Sequence, residues 1–476
     1  MTKSSGSILD GGSRPVGRGA GTEPRNHTAP SKRLLEEYAA ASDSLPSGVV
    51  SAARRHEAIQ ALAARGLPTT RDENWRYANL RPLERARFAP AVSTAAAALP
   101  EGSELPAGLD GFSRYVFVDG IFAPRLSSPG EQTGPGLTVR HLRQAAASPA
   151  GPSGATTGSQ IARDLPATVT GAPEARLALL NEAFATDSAV IHVGAADALQ
   201  RVELIFVAAA GADAGASYPR VHVTLDPGAR LALVERHLSA GGGAEFVNSA
   251  VAVDIGRGAQ LNHYRLQKAG VRSTWLDTLS AVLSADARYS LLAVSTGGLS
   301  ARCTAHVRMA GPGAELALSV AALGDRQQVQ DHFALVEHIA PRARTEQTFR
   351  GIASRRARVA FNGKIVVGEA AAGADSRQSL RGLLAGPEAE IDLRPQLEIY
   401  TDEVRCSHGA TAGKLDEDML FYLLSRGLSP EVAQRLLKWA FLEDVVSRID
   451  IPGLRRQIEH DLAGQMAEAA ALKELL

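Results

Sequence analysis

Only two cysteines, Cys303 and Cys406, occur among the 476 residues, so no disulfide framework is available and a reducing compartment is expected. Net charge is also missing. Lys plus Arg and Asp plus Glu each number 51, which removes the global electrostatic case for nucleic acid or an anionic membrane. No stretch approaches the roughly 20 apolar residues of a membrane-spanning helix. The opening segment, MTKSSGSILDGGSRPVGRGAG, lacks the apolar centre of a signal peptide. Neither His-Glu-x-x-His, nor Gly-x-Ser-x-Gly, nor a paired-cysteine metal spacing is found. A cytoplasmic protein without nucleic-acid or membrane partners is expected.

The length allows two or three domains. Residues 1–30 are rich in Gly, Ser, Arg and Pro without hydrophobic period and read as a disordered tail. Residues 31–110 form an N-terminal helical domain, with Ala58 and Leu62 at helical spacing and Gly66 as a C-cap. Residues 111–190 are a lead-in. It holds a hairpin turning at Asp119-Gly120, a loose Pro/Gly/Ser/Ala insert near 126–160, and a helical stretch over 173–185.

Residues 191–410 are repetitive. A short unit built on alanine recurs at Ala229, Ala244, Ala259, Ala287, Ala301, Ala314, Ala343, Ala357 and Ala389. Intact neighbours lie 13 to 15 residues apart, and alternating strands such as LALVERHL follow. A small-residue turn before each strand predicts a β-solenoid with two facing strands per coil, each coil relying on its neighbours for a core. An ordinary β-sandwich is the alternative.

Residues 411–476 read as a C-terminal helical domain. Asp416 caps one helix that Gly427 ends, and Ser429-Pro430-Glu431 starts the next. Val432, Leu436, Ala440, Val445 and Ile449 line one face of that second helix, broadened by Leu437 and Phe441. Such a stripe packs on its own domain or receives a partner.

The chemistry concentrates in RPQLEIYTDEVRCSHGATAGKL (394–415). Cys406 and His408, two apart on a strand, point to one side, either as soft and borderline ligands or as a buried thiol and a hydrogen-bonded ring. Two ligands do not close a four-coordinate site, so a second surface is required. Asp402 and Glu403 nearby supply hard ligands or solvate a turn. Gly409 to Lys414 resembles a phosphate loop but has three residues between its glycines, and Leu415 where Mg²⁺ needs a hydroxyl, so nucleotide hydrolysis is excluded there. Cys303, His222, His263 and His306 read as structural strand residues. Arg350, Arg355, Arg356 and Arg358 read as a solvated edge.

The blocks ENWRYANLRPL, YVFVDGIF, LNEAFATDSAVIHV and, above all, RPQLEIYTDEVRCSHGAT resemble the SufD family, a scaffold component of iron–sulfur cluster assembly. The sister SufB family carries an acid–His arrangement where this chain has Cys406-Ser-His408, and cysteines that this chain lacks. The resemblance implies a mainly β protein, a right-handed parallel β-helix flanked by N- and C-terminal α-helical domains. It implies no catalysis by the chain itself, no intrinsic cofactor, and a transient Fe–S cluster shared with SufB in a heterodimer. His408 would be the stronger ligand and Cys406 the weaker. It further implies that the C-terminal helices dock the ATPase SufC, for which Leu420, Phe421, Val432, Leu436, Trp439, Ala440 and Phe441 are the candidate contacts. A SufB-like or homodimeric scaffold is the runner-up. A β-solenoid enzyme acting on polysaccharide is the remaining alternative, disfavoured by dispersed carboxylates and the missing export signal.

Overall fold

A computed structural model describes residues 29–90, 99–128, 136–145, 176–195, 198–209, 215–240 and 242–466. The expected tail up to residue 28 and most of the expected insert lie outside the described residues.

The chain winds into a parallel β-solenoid of about seven turns. Successive strands alternate between a ten-stranded and a nine-stranded sheet, so each coil contributes one strand to each. In the first sheet Gln260 lies beside Arg288 and Arg288 beside Glu315. In the second, Thr274 lies beside Ser300 and Ser300 beside Val329. These steps of one coil are the doubled alanine spacing of the sequence.

The alanines mark the corners. Gly228, Gly258, Asp286, Gly313 and Arg342 each adopt a positive φ immediately before Ala229, Ala259, Ala287, Ala314 and Ala343. All five alanines are fully buried. The left-handed residue turns the chain sharply, and a methyl group is what the inside of the corner accommodates. The other four repeat alanines depart from this. Ala244 is exposed ahead of the Phe246–Ile255 strand, where Glu245 turns inward instead; Ala301 lies within the strand Ser300–Met309; the positive φ before Ala357 falls one residue earlier, at Arg355; and Ala389 is only half-buried.

Inward-facing positions repeat every second residue and stack from coil to coil. Leu231, Leu261, Tyr289 and Leu316 form one such column, and Leu233, His263, Leu291 and Leu318 its neighbour. Their burial joins both sheets into one continuous core. The hairpin Ser113–Val118/Ile121–Phe122 caps the first sheet, with positive φ at both Asp119 and Gly120, as a type I′ turn demands.

Helices cover the outer faces. Helices Pro430–Val446 and Pro452–Met466 pack Leu442, Val445 and Leu454 on Tyr264, Leu292 and Ile352 of the ten-stranded sheet. The N-terminal helices Ala29–Ala41 and Ala52–Arg65 and the buried helix Arg176–Phe184 cover the start of the other sheet. Farther along it, Arg302 lies 4.5 Å from the Trp75 ring, donates to the Asn74 carbonyl at 2.8 Å and ion-pairs with Asp331. A desolvated guanidinium stacked and paired in this way is a firm clamp.

Candidate metal-ligand site at the open end of the solenoid

The last coil ends both sheets. Glu390–Ile399 is the edge of one, and Val404–Gly413 the edge of the other. Among the described residues, Val404–Gly413 pairs only with Ala374–Ala385, leaving a full row of backbone donors and acceptors unpaired on its far side. Gly409 to Gly413 therefore continues the strand, held in register with Ser379 to Leu383, where the sequence suggested a loop. An extended backbone there reinforces the exclusion of a phosphate loop.

Cys406 is half-buried and packs against the solenoid core, which fixes the inner side of this strand. His408, two residues on, shares that side and is exposed. The two inner columns change character on approach. Leu316 is followed by Thr345, Ser376 and Cys406, and Leu318 by Gln347, Gln378 and His408. Three successive coils thus exchange leucine for polar side chains, ending in a thiol and an imidazole at the mouth. Gln378 donates to the Gln347 side chain at 2.8 Å and to the Gly363 carbonyl at 2.9 Å. Ser376 Oγ and Gln378 Oε1 are buried without partners.

Asp402 and Glu403 are exposed before the strand begins. Among the described residues, no group of three or more His, Cys, Asp or Glu side chains is placed to hold a metal ion. Cys406 and His408 are the pair that the end of the solenoid offers.

The other candidates have structural partners. Arg220 donates to His222 at 3.1 Å, His263 lies 3.1 Å from both Tyr289 and Glu235, and His306 contacts Glu337 at 2.6 Å. Burial drives the His222 and His263 pKa values down, holding both rings neutral. Cys303 sits 3.5 Å from Asp277, and burial together with that carboxylate pushes its thiol pKa far up. It is a hydrophobe in practice. Arg355, Arg356 and Arg358 pair with Asp325, Glu388 and Asp392. Arg350 differs from the expected solvated edge: it is buried beneath helix Pro430–Val446 and paired with Asp444.

A polar network inside the solenoid escaped the sequence reading. Arg265 bridges Asp277 at 2.5 Å and Glu235 at 2.6 Å, and Glu235 also meets His237 and His263. The signal was parity: Glu235 and His237 fall in step with Leu231 and Leu233, on the inner face.

At the helical end, Asp416 accepts from the Met419 amide at 2.9 Å and Ser429 from Val432 at 3.4 Å, the caps expected from sequence. Helix Glu417–Ser425 buries none of its residues; Met419, Phe421, Tyr422 and Leu424 are exposed, Phe421 by 73%. Leu420, Val432, Leu436 and Phe441 are half-buried and Ala440 is exposed. Trp439 lies elsewhere: only 8% exposed, it packs inward with the helix face that covers the sheet.

Residues 206–441 match the family model for the SUF system FeS cluster assembly SufBD core domain. The chain is similar to the iron–sulfur cluster assembly protein SufD of Escherichia coli, 28% identical over 84% of this chain and 89% of that protein. An iron–sulfur cluster assembly SufBD family protein of Synechocystis is 28% identical over 90% of this chain and 93% of its own length. A SufBD family protein of Mycobacterium tuberculosis is 27% identical over 61% and 75%, respectively.

Proposed function

Because the chain belongs to the SufBD family of iron–sulfur cluster assembly proteins, we propose that it is a non-catalytic scaffold subunit that presents half of a ligand set at a protein–protein interface. The partner is SufB, a second solenoid whose end meets the open coil and supplies the remaining ligands. The nascent Fe–S cluster is cargo, held between the two chains and then released.

The observation that carries this reading is the placement of Cys406 and His408. They stand on the inner face of an unpaired edge strand, one half-buried and one exposed, where a second strand edge could seat against them. Backbone hydrogen bonding across such an edge aligns two solenoids, and alignment is what a shared coordination sphere needs. The imidazole and thiolate suit iron and sulfide chemistry, and His408 is the primary ligand. The exposed apolar surface of helix Glu417–Ser425, with Leu420 and Phe421 and the adjoining Val432, Leu436, Ala440 and Phe441, is the docking face for the SufC ATPase. ATP-driven movement of that face would reach the mouth through the short link between Gly413 and Glu417. The complex works in the cytoplasm.

The test uses the complex purified without oxygen. His408→Ala is expected to leave the complex assembled while iron and sulfide content falls severalfold. Wild-type iron and sulfide in that variant would remove His408 from the site.

A further inference from the structure

We infer that Gln378 is a positioning residue for His408, its amide oxygen accepting the imidazole N–H so that the other ring nitrogen is left free to bind metal. The inference rests on His408 being a ligand, as proposed above. Four observations carry it. Gln378 is the register neighbour of His408 on the penultimate coil, and both lie on the inner side of their strands. Adjacent strands run about 4.8 Å apart, so side chains in one column meet directly.

Gln378 is 4% exposed, so its amide must find partners within the protein. Its orientation is set from below. The Gly363 carbonyl can only accept, so Gln378 presents its NH₂ group there, at 2.9 Å, and to Gln347 at 2.8 Å. Rotating the amide by half a turn would set oxygen against that carbonyl. The amide oxygen, Oε1, is therefore what remains, and it is covered and unpartnered. A buried acceptor with no donor is unfavourable unless something supplies one. The N–H donor in the next coil is on the His408 ring.

The consequence is chemical. A neutral imidazole offers one lone pair for metal, and the nitrogen that offers it is fixed by the hydrogen bond of the other. Gln378 would thus hold one tautomer and one ring direction before any partner or iron arrives. The neutral amide suits this role, since it adds no charge to a site that must later release its cargo.

The experiment is ¹⁵N NMR of the histidine rings in the full chain, with the imidazole neutral, comparing wild type with Gln378→Leu and with His408→Ala, the last to assign the signal. A net hydrogen bond of ordinary strength corresponds to about a fivefold bias between tautomers. Gln378→Leu is expected to relax the His408 tautomer ratio about fivefold. An unchanged ratio in Gln378→Leu overturns the inference and reduces Gln378 to a rung of a glutamine ladder. Iron binding by the anaerobic complex separates the two layers of argument. If His408→Ala depletes iron while Gln378→Leu leaves the tautomer unaltered, only the positioning role fails; if His408→Ala retains iron, the ligand assignment fails regardless of the NMR result.

Discussion

His332 should make the solenoid acid-sensitive, by an amount that can be worked out. Its ring faces the interior between Cys303 and Phe361 in the coil-to-coil register, and its Nε2 has no partner. Burial, reinforced by the nearby Arg302 charge and opposed by Asp277, drives its pKa from 6.5 down to about 3. The unfolded chain therefore binds a proton at His332 below about pH 6.5 that the folded chain does not take until about pH 3. Stability falls with pH through that window. At about pH 4.5 the unfolded form is favoured by two pH units of protonation, or about 2.7 kcal/mol at this one site. Buried carboxylic acids such as Asp187 and Asp331, whose pKa values burial raises, act in the opposite sense. Those contributions cancel when wild type is compared with His332→Gln. Urea unfolding of both proteins at about pH 7 and about pH 4.5 should show the difference in their stabilities shifting by about 2.7 kcal/mol in favour of the variant. Parallel stability curves would mean that His332 is protonated or solvated in the folded protein, refuting the argument from burial. His338, brought down to about 4 by burial, should behave alike with a slightly smaller shift.

In native protein, maleimide should modify Cys406 faster than Cys303, both thiols being half-buried but the Cys303 thiolate disfavoured by desolvation and Asp277; mass spectrometry of the labelled peptides over time reads this directly. Arg265→Met should cost about 3–5 kcal/mol by urea unfolding, because it leaves the Asp277 and Glu235 carboxylates buried without their cation. Adding Asp277→Asn and Glu235→Gln should recover much of that loss. Phe421→Asp should change stability by less than about 0.5 kcal/mol, since the ring is exposed, yet abolish co-purification with the ATPase.

The sequence carried the parts of this architecture that are local. Ala229, Ala259, Ala287, Ala314 and Ala343 recur because each coil has a corner that only a small side chain can close, so the coil length is written in their spacing. The Asp119-Gly120 turn and the Asp416 and Ser429 caps are likewise decided within four residues. Contacts between distant segments left no such trace. The Arg302–Trp75 clamp joins residues more than two hundred positions apart, and nothing periodic near either one announces the other. Trp439 belongs to an apolar stripe on a helix, and a stripe alone does not say whether a sheet of the same chain or a partner covers it. Cys406 and His408 were legible as a pair on one side of a strand. That this side is the inner one, above Ser376 and Gln378, depends on stacking that only the folded solenoid supplies.

A linear stack of coils also has a gradient of local stability built into it. Every interior rung is zipped to two neighbours, whereas the two strands of the last coil, Glu390–Ile399 and the Val404–Gly413 strand bearing Cys406 and His408, are each zipped to one, so this coil should open readily when the molecule breathes. Amide exchange should accordingly be fastest there among the long strands, and slow once the edge is engaged. Cys406 and His408 thus ride on a readily loosened coil, which, were they cluster ligands, would give the scaffold a natural place to let go.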